Sequence, residues 1–178
     1  MVRSSYTART GRNNYTLGTA VKITLICVGK LSLPFIKQGS AEYEQRLKRF
    51  IPLAILELKE EKRGGKKADI HFVRRSEARQ ILAKIPKGAY TVALDETGKQ
   101  INSLKLAHKL EQHMNQGTAN ICFIIGGAYG LTDELKRHCN ELLSLSNMTF
   151  THQMARLFLL EQLYRGFTII RNEPYHNR

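Results

Sequence analysis

The chain has 178 residues, 42% hydrophobic and 24% charged, with 28 Lys and Arg against 15 Asp and Glu and a formal charge of +13. That length suits one domain of roughly 100–200 residues with a real core, and the composition excludes a disordered chain. No apolar stretch approaches the roughly 20 residues that span a bilayer, which excludes a transmembrane helix, while the excess positive charge points to a polyanion, either nucleic acid or an anionic membrane surface.

Residues 1–20 carry Arg3, Arg9 and Arg12, many small polar residues and no acid. They read as a basic arm outside the fold, an upstream start or a tag, and without them the body of 21–178 keeps a charge of +10. From Val21 the hydrophobic pattern alternates. Residues 21–28 form a predicted strand ending at Gly29. Residues 34–50 have helical spacing with Pro34 in the first turn. A strand over 53–58 leads to a charged, glycine-containing loop over 59–67, and a helix over 70–85 is stopped by Pro86. A strand over 90–94 is closed by a turn at Glu96-Thr97-Gly98. A helix over 101–114 precedes the almost wholly apolar strand 120–125, a pattern expected of a strand buried on both faces. Next come a glycine loop, a helix over 131–138 with Thr132 as N-cap and acids in its first turn, and a short strand over 141–145. A long helix over 153–170 and a polar tail over 172–178 end the chain. Strands alternating with helices predict an α/β fold with a mostly parallel sheet flanked by helices.

Cys27, Cys122 and Cys139 are odd in number and show no Cys-x-x-Cys spacing. They read as reduced, structural thiols, which argues against a disulfide scaffold or a cysteine zinc site and favours a reducing, cytoplasmic compartment.

Four segments carry the candidate chemistry. The first is Gly126-Gly-Ala-Tyr-Gly130, between a buried strand and a helix, where glycines let a ligand approach the backbone. Its spacing is neither that of a dinucleotide loop nor that of a phosphate-binding nucleotide loop, and no acid closes a second strand about 20 residues later, so both classes are disfavoured. A ligand loop and a plain tight turn both fit it. The second runs from Leu145 to Arg156. Leu94, Ile125 and Leu145 each end a predicted strand, and ligands in open parallel sheets bind at such ends. His152 and Arg156 share a helix face, where a catalytic pair and a surface pair are both possible. The third is Pro174-Tyr-His176, in a tail expected to be mobile. The fourth is the basic run through Lys62, Arg63, Lys66 and Lys67, continued by Arg74, Arg75 and Arg79, which suits phosphate contact.

Val21-Lys-Ile-Thr-Leu25, Lys62-Arg63-Gly64, Leu94-Asp95 with Gly98-Lys99, the glycine loop, Leu145-Ser146, Met148-Thr149-Phe150, His152-Gln-Met154, Arg156, Glu161-Gln162, Tyr164-Arg165 and Pro174-Tyr-His176 occur in order. This ordered set resembles the ribosomal RNA large subunit methyltransferase H family of the SPOUT class, over about residues 21–177. The resemblance implies a SPOUT-type α/β knot with a C-terminal trefoil knot, acting as a cytoplasmic homodimer. It implies S-adenosylmethionine as methyl donor, contacted by Leu94, Gly126, Leu145, Ser146, Asn147, Met148, Thr149 and Phe150, with no metal. It implies methylation of N3 of a pseudouridine in helix 69 of 23S rRNA on the assembled ribosome. His152, Tyr175 and His176 become candidates for proton transfer or orientation, and Arg156 for contact with phosphate or base. Lys62, Arg63, Lys66, Lys67, Arg74 and Arg75 become the candidate RNA contacts. Thr151 stands where members often have Pro, and Thr can cap the helix there. A non-catalytic RNA-binding protein with the same fold is the alternative.

Overall fold

The computed structural model describes residues 21–61 and 69–176. The reading of residues 1–20 as an extension, and the predicted RNA contacts Lys62, Arg63, Lys66 and Lys67, fall outside the described residues. The chain runs β1 (Lys22–Val28), α1 (Pro34–Leu47), β2 (Leu53–Leu58), α2 (Ile70–Leu82), β3 (Tyr90–Gln100), α3 (Ser103–Asn115), β4 (Asn120–Ile125), α4 (Asp133–His138), β5 (Glu141–Ser144) and α5 (His152–Ile170). The five strands form one sheet in the order β2-β1-β4-β3-β5, every pair parallel.

The apolar strand residues divide between two cores by the two-residue period of a strand. Ile23, Leu25 and Cys27 of β1, with Ile121, Phe123 and Ile125 of β4, join Leu47 of α1, Leu106 and Leu110 of α3, and Leu159, Leu160, Leu163 and Phe167 of α5. Ile26 and Val28, with Cys122 and Ile124, face the other way onto Ala78 and Ile81 of α2 and Leu135 of α4. Both faces of the sheet are therefore covered, which is why β1 and β4 lack polar alternation. Burying each of these aliphatic side chains contributes about 1.5–3 kcal/mol, so the covering helices are held mainly by packing.

Local signals set the ends of the helices. The Thr132 hydroxyl accepts from the Leu135 N–H, and Thr151 accepts from the Met154 N–H, each at 3.2 Å. Asp69 accepts from both His71 and Phe72 at the start of α2. The predicted turn at Glu96-Thr97-Gly98 does not close its strand; the structure has a bulge there within a strand that continues to Gln100. Both Leu94 and Lys99 pair with Leu143, so residues 95–98 bulge out and β3 resumes. The Asp95 carboxylate holds the bulge by accepting from the Thr97 N–H at 3.0 Å and its hydroxyl at 2.5 Å.

The tail corrects the expectation of mobility as far as His176. The Tyr175 ring meets Tyr164 edge-on at 4.7 Å, and its hydroxyl lies 3.2 Å from both the Tyr43 hydroxyl and Glu161 Oε1. All three cysteines are free, and burial pushes the Cys27 and Cys122 thiols up to about 12.

Candidate active site

The bulge within β3 and the C-terminal ends of β4 and β5 open into a cavity of about 470 Å³, within the roughly 300–1,000 Å³ of small-molecule sites. Leu94 and Asp95 at the bulge form one wall, the loop Gly126–Gly130 a second, and Leu145, Ser146, Met148, Thr149 and Phe150 a third. These are the three segments selected from the sequence, with one correction: Leu94 does not end its strand but sits at the bulge, because β3 pairs with β5 again at Lys99 and Gln100. Asn147 is absent from the wall, and its side-chain oxygen accepts a hydrogen bond from Gln100.

The glycines are there for space. A Cβ on Gly126 would lie 2.8 Å from Leu131 Cδ2, and one on Gly127 would lie 2.7 Å from Glu77 Oε2. Gly130 has φ +74, a backbone that side chains rarely adopt. Gly98 packs so closely on β5 that a Cβ would sit 2.7 Å from the backbone of Leu142 and Leu143.

His152 is the first residue of α5 and closes the cavity beside Ala155. Its Nε2 is buried without a hydrogen bond and lies 3.7 Å from Glu60 Oε1. The Gln153 side chain accepts from the Ser32 and Leu33 N–H groups at 2.8 and 3.3 Å, tying this end of α5 to the entry into α1.

The other three residues singled out for chemistry lie off the cavity wall. Arg156 is turned to β2 and donates to Glu57 Oε1 at 2.6 Å, with its side chain 8% exposed. The structure gives it an ion pair with Glu57, which is itself exposed on β2. Tyr175 belongs to the tail network above, and His176 Nδ1 lies 3.5 Å from an Arg165 nitrogen. Arg165 is itself held by Glu161 at 2.5 Å, the helical pair four residues apart.

The sequence reading missed Asp95 and Lys136, which pair at 2.6 Å in the cavity wall. Burial pushes the Asp95 carboxyl up, but Lys136 and Thr97 outweigh it and hold the acid below its usual range. The Leu94-Asp95 and Gly98-Lys99 pieces were a signal for Asp95; nothing local marked Lys136. Arg74, read as an RNA contact, is also in this wall, whereas Arg75 is exposed on α2. Glu77 is 5% exposed beneath the glycine loop. Burial raises its carboxyl; the Glu61 N–H hydrogen bond works against this, and the charges of Glu60 and Glu61 add to it.

The family model described as "Predicted SPOUT methyltransferase" matches residues 21–176. A protein of Syntrophotalea carbinolica named "Ribosomal RNA large subunit methyltransferase H" is 58% identical over 158 residues, covering 89% of this chain and all of its own. A protein of the same name from Trichlorobacter lovleyi is 47% identical over 88% of this chain and all of its own. Among solved structures, the tRNA (m1G37) methyltransferase of Aquifex aeolicus superposes with a TM-score of 0.50 at 14% identity, over 88% of this chain and 75% of that one, a likeness of fold. The chain belongs to the ribosomal RNA large subunit methyltransferase H family of SPOUT methyltransferases.

Proposed function

We propose that the protein methylates N3 of a pseudouridine in helix 69 of 23S rRNA on the assembled ribosome, using S-adenosylmethionine and working as a cytoplasmic homodimer. The membership carries the coarser statement, a methyltransferase of large-subunit rRNA. The observation that carries the site is the cavity at the bulge of β3 and the ends of β4 and β5, whose walls join backbone, apolar side chains and a few charges. That mixture suits an adenosine with a charged amino-acid end. Leu94, Gly126, Leu145, Ser146, Met148, Thr149 and Phe150 would hold the donor, with Asn147 bracing the third wall from behind.

The bound donor supplies an activated methyl group on a sulfonium. The chain must align N3 with that methyl and accept the proton that N3 loses. His152 is the imidazole on the cavity wall, so the proposal gives it the proton. Arg156, Tyr175 and His176 act from outside the wall, Arg156 by fixing α5 on β2 and the tail pair by bracing α5 near Arg165. The target base reaches the cavity by leaving its stack or from an unpaired loop.

Lys62, Arg63, Lys66 and Lys67, with exposed Arg75, supply the phosphate contacts in this reading. A second copy would cover Leu33, Phe35, Met148 and Phe158, which are 43, 63, 74 and 39% exposed around the start of α5.

The test incubates the purified protein with large subunits and with whole ribosomes from cells lacking it, using donor tritiated on the methyl. The expected result is label in 23S rRNA at that pseudouridine, absent with His152→Gln. No label, or label at another nucleotide, contradicts the reading.

A further inference from the structure

Arg74 was selected from the sequence as part of a basic run, yet α2 directs it into the wall of the cavity. There its guanidinium donates to the Leu131 carbonyl, just past the glycine loop, while its Nε is buried without a hydrogen bond. Among the described residues no carboxylate lies within ion-pair distance of it. Lys136, the other fixed cation of the wall, is already paired with Asp95 at 2.6 Å. Glu77 lies one turn on along α2, but its oxygens face Gly127 and the Glu61 N–H. Its carboxyl is held above the usual range by burial, the opposite of what a guanidinium partner would do.

A cation held in a ligand cavity, with a donor left over and no carboxylate in ion-pair contact among the described residues, lacks an anion. An Arg fork suits a carboxylate or a phosphate, and a hydrogen bond to a backbone carbonyl fixes its direction without neutralising it. Two anions can come here: the carboxylate on the amino-acid end of the methyl donor, or a phosphate of the RNA. The position favours the carboxylate. Arg74 stands against Leu131 and the glycine loop, inside the cavity wall, whereas Arg75 and Arg79 of the same helix are exposed to any approaching backbone.

We infer that Arg74 binds the carboxylate of the methyl donor and so makes the site selective for S-adenosylmethionine over adenosine derivatives lacking that group. This rests on the proposed use of that donor. It assigns Arg74 to the cofactor, not to the RNA, and orients the donor with its amino-acid end toward the glycine loop and α2.

The test is a calorimetric comparison of S-adenosylmethionine with decarboxylated S-adenosylmethionine, on the wild type and on Arg74→Met and Arg74→Lys. The expected result is that the wild type prefers the carboxylated ligand by roughly ten- to a hundredfold, as a charge-assisted hydrogen bond implies. Arg74→Met should lose that preference while binding the decarboxylated ligand as the wild type does, and Arg74→Lys should keep part of it. Equal weakening of both ligands by Arg74→Met, or no change in either, overturns the inference. So does intact donor binding together with weakened ribosome binding, which would return Arg74 to the RNA. A wild type that binds neither ligand defeats the proposed function itself, a different result from a wild type that binds both and an Arg74→Met that changes nothing.

Discussion

At the scale of single residues, the charged groups around the cavity divide into pairs that hold its walls and groups left over. Asp95 with Lys136, and Glu57 with Arg156, are closed at 2.6 Å each. They resemble each other in geometry and differ in place, since only the first lies on the cavity wall. Among the described residues, Glu77 is a buried acid with no cation in ion-pair contact. Its folded-state carboxyl is raised, so the native chain binds the proton more tightly than the unfolded chain does. The wild type is then relatively most stable below the usual carboxylate range and loses stability as pH rises through that range to the raised value. Glu77→Gln keeps an acceptor for the Glu61 N–H and removes the buried charge. Urea unfolding should show the variant level with the wild type in acid and more stable at pH 8. A variant less stable than the wild type at pH 8 would mean the charge has a partner that stabilises it.

At the scale of elements, the bulge in β3 is the part of the site most exposed to a single methyl group. Residues 95–98 leave the ladder and Gly98 returns the strand against the β5 backbone. Gly98→Ala must push β5 away, since backbone offers no flexible end to yield. We expect a loss of about 1–3 kcal/mol in urea unfolding, the usual range for overpacking, together with weaker donor binding, because Leu94 and Leu143 both line the cavity. Unchanged stability and donor binding would show that the bulge tolerates a side chain.

The same bulge shows what could be read in advance. Glu96-Thr97-Gly98 marked a break in the ladder but was misread as the turn that closes the strand, because the strand's continuation depends on the β5 partner, which local sequence does not contain. The apolar runs of β1 and β4, the Thr132 and Thr151 caps and the three wall segments were legible because each rests on local periodicity or capping chemistry. The tail was misread because Tyr175 is held by Tyr43, 132 residues away. The ion pair of Arg156 was not legible for a similar reason: its partner Glu57 lies 99 residues away. Arg74 was grouped with its basic neighbours, although a helix turns successive residues through about 100° and sends Arg74 and Arg75 to different surroundings.

At the scale of the whole molecule, parallel topology gathers the bulge of β3 and the ends of β4 and β5 with the start of α5 around one cavity. Around that cavity lie exposed apolar side chains, and the chain carries a formal charge of +13. In the proposed function such a domain would meet RNA through phosphates, which the positive charge favours and salt screens. The central claim is that this cavity serves a methyl transfer to large-subunit rRNA. The most direct measurement is mass mapping of 23S rRNA from cells with the gene intact, deleted, and restored as wild type or His152→Gln. The account predicts that deletion removes one methyl group, from the pseudouridine of helix 69, and that the wild-type gene but not the variant returns it. Identical rRNA methylation with and without the gene would contradict it.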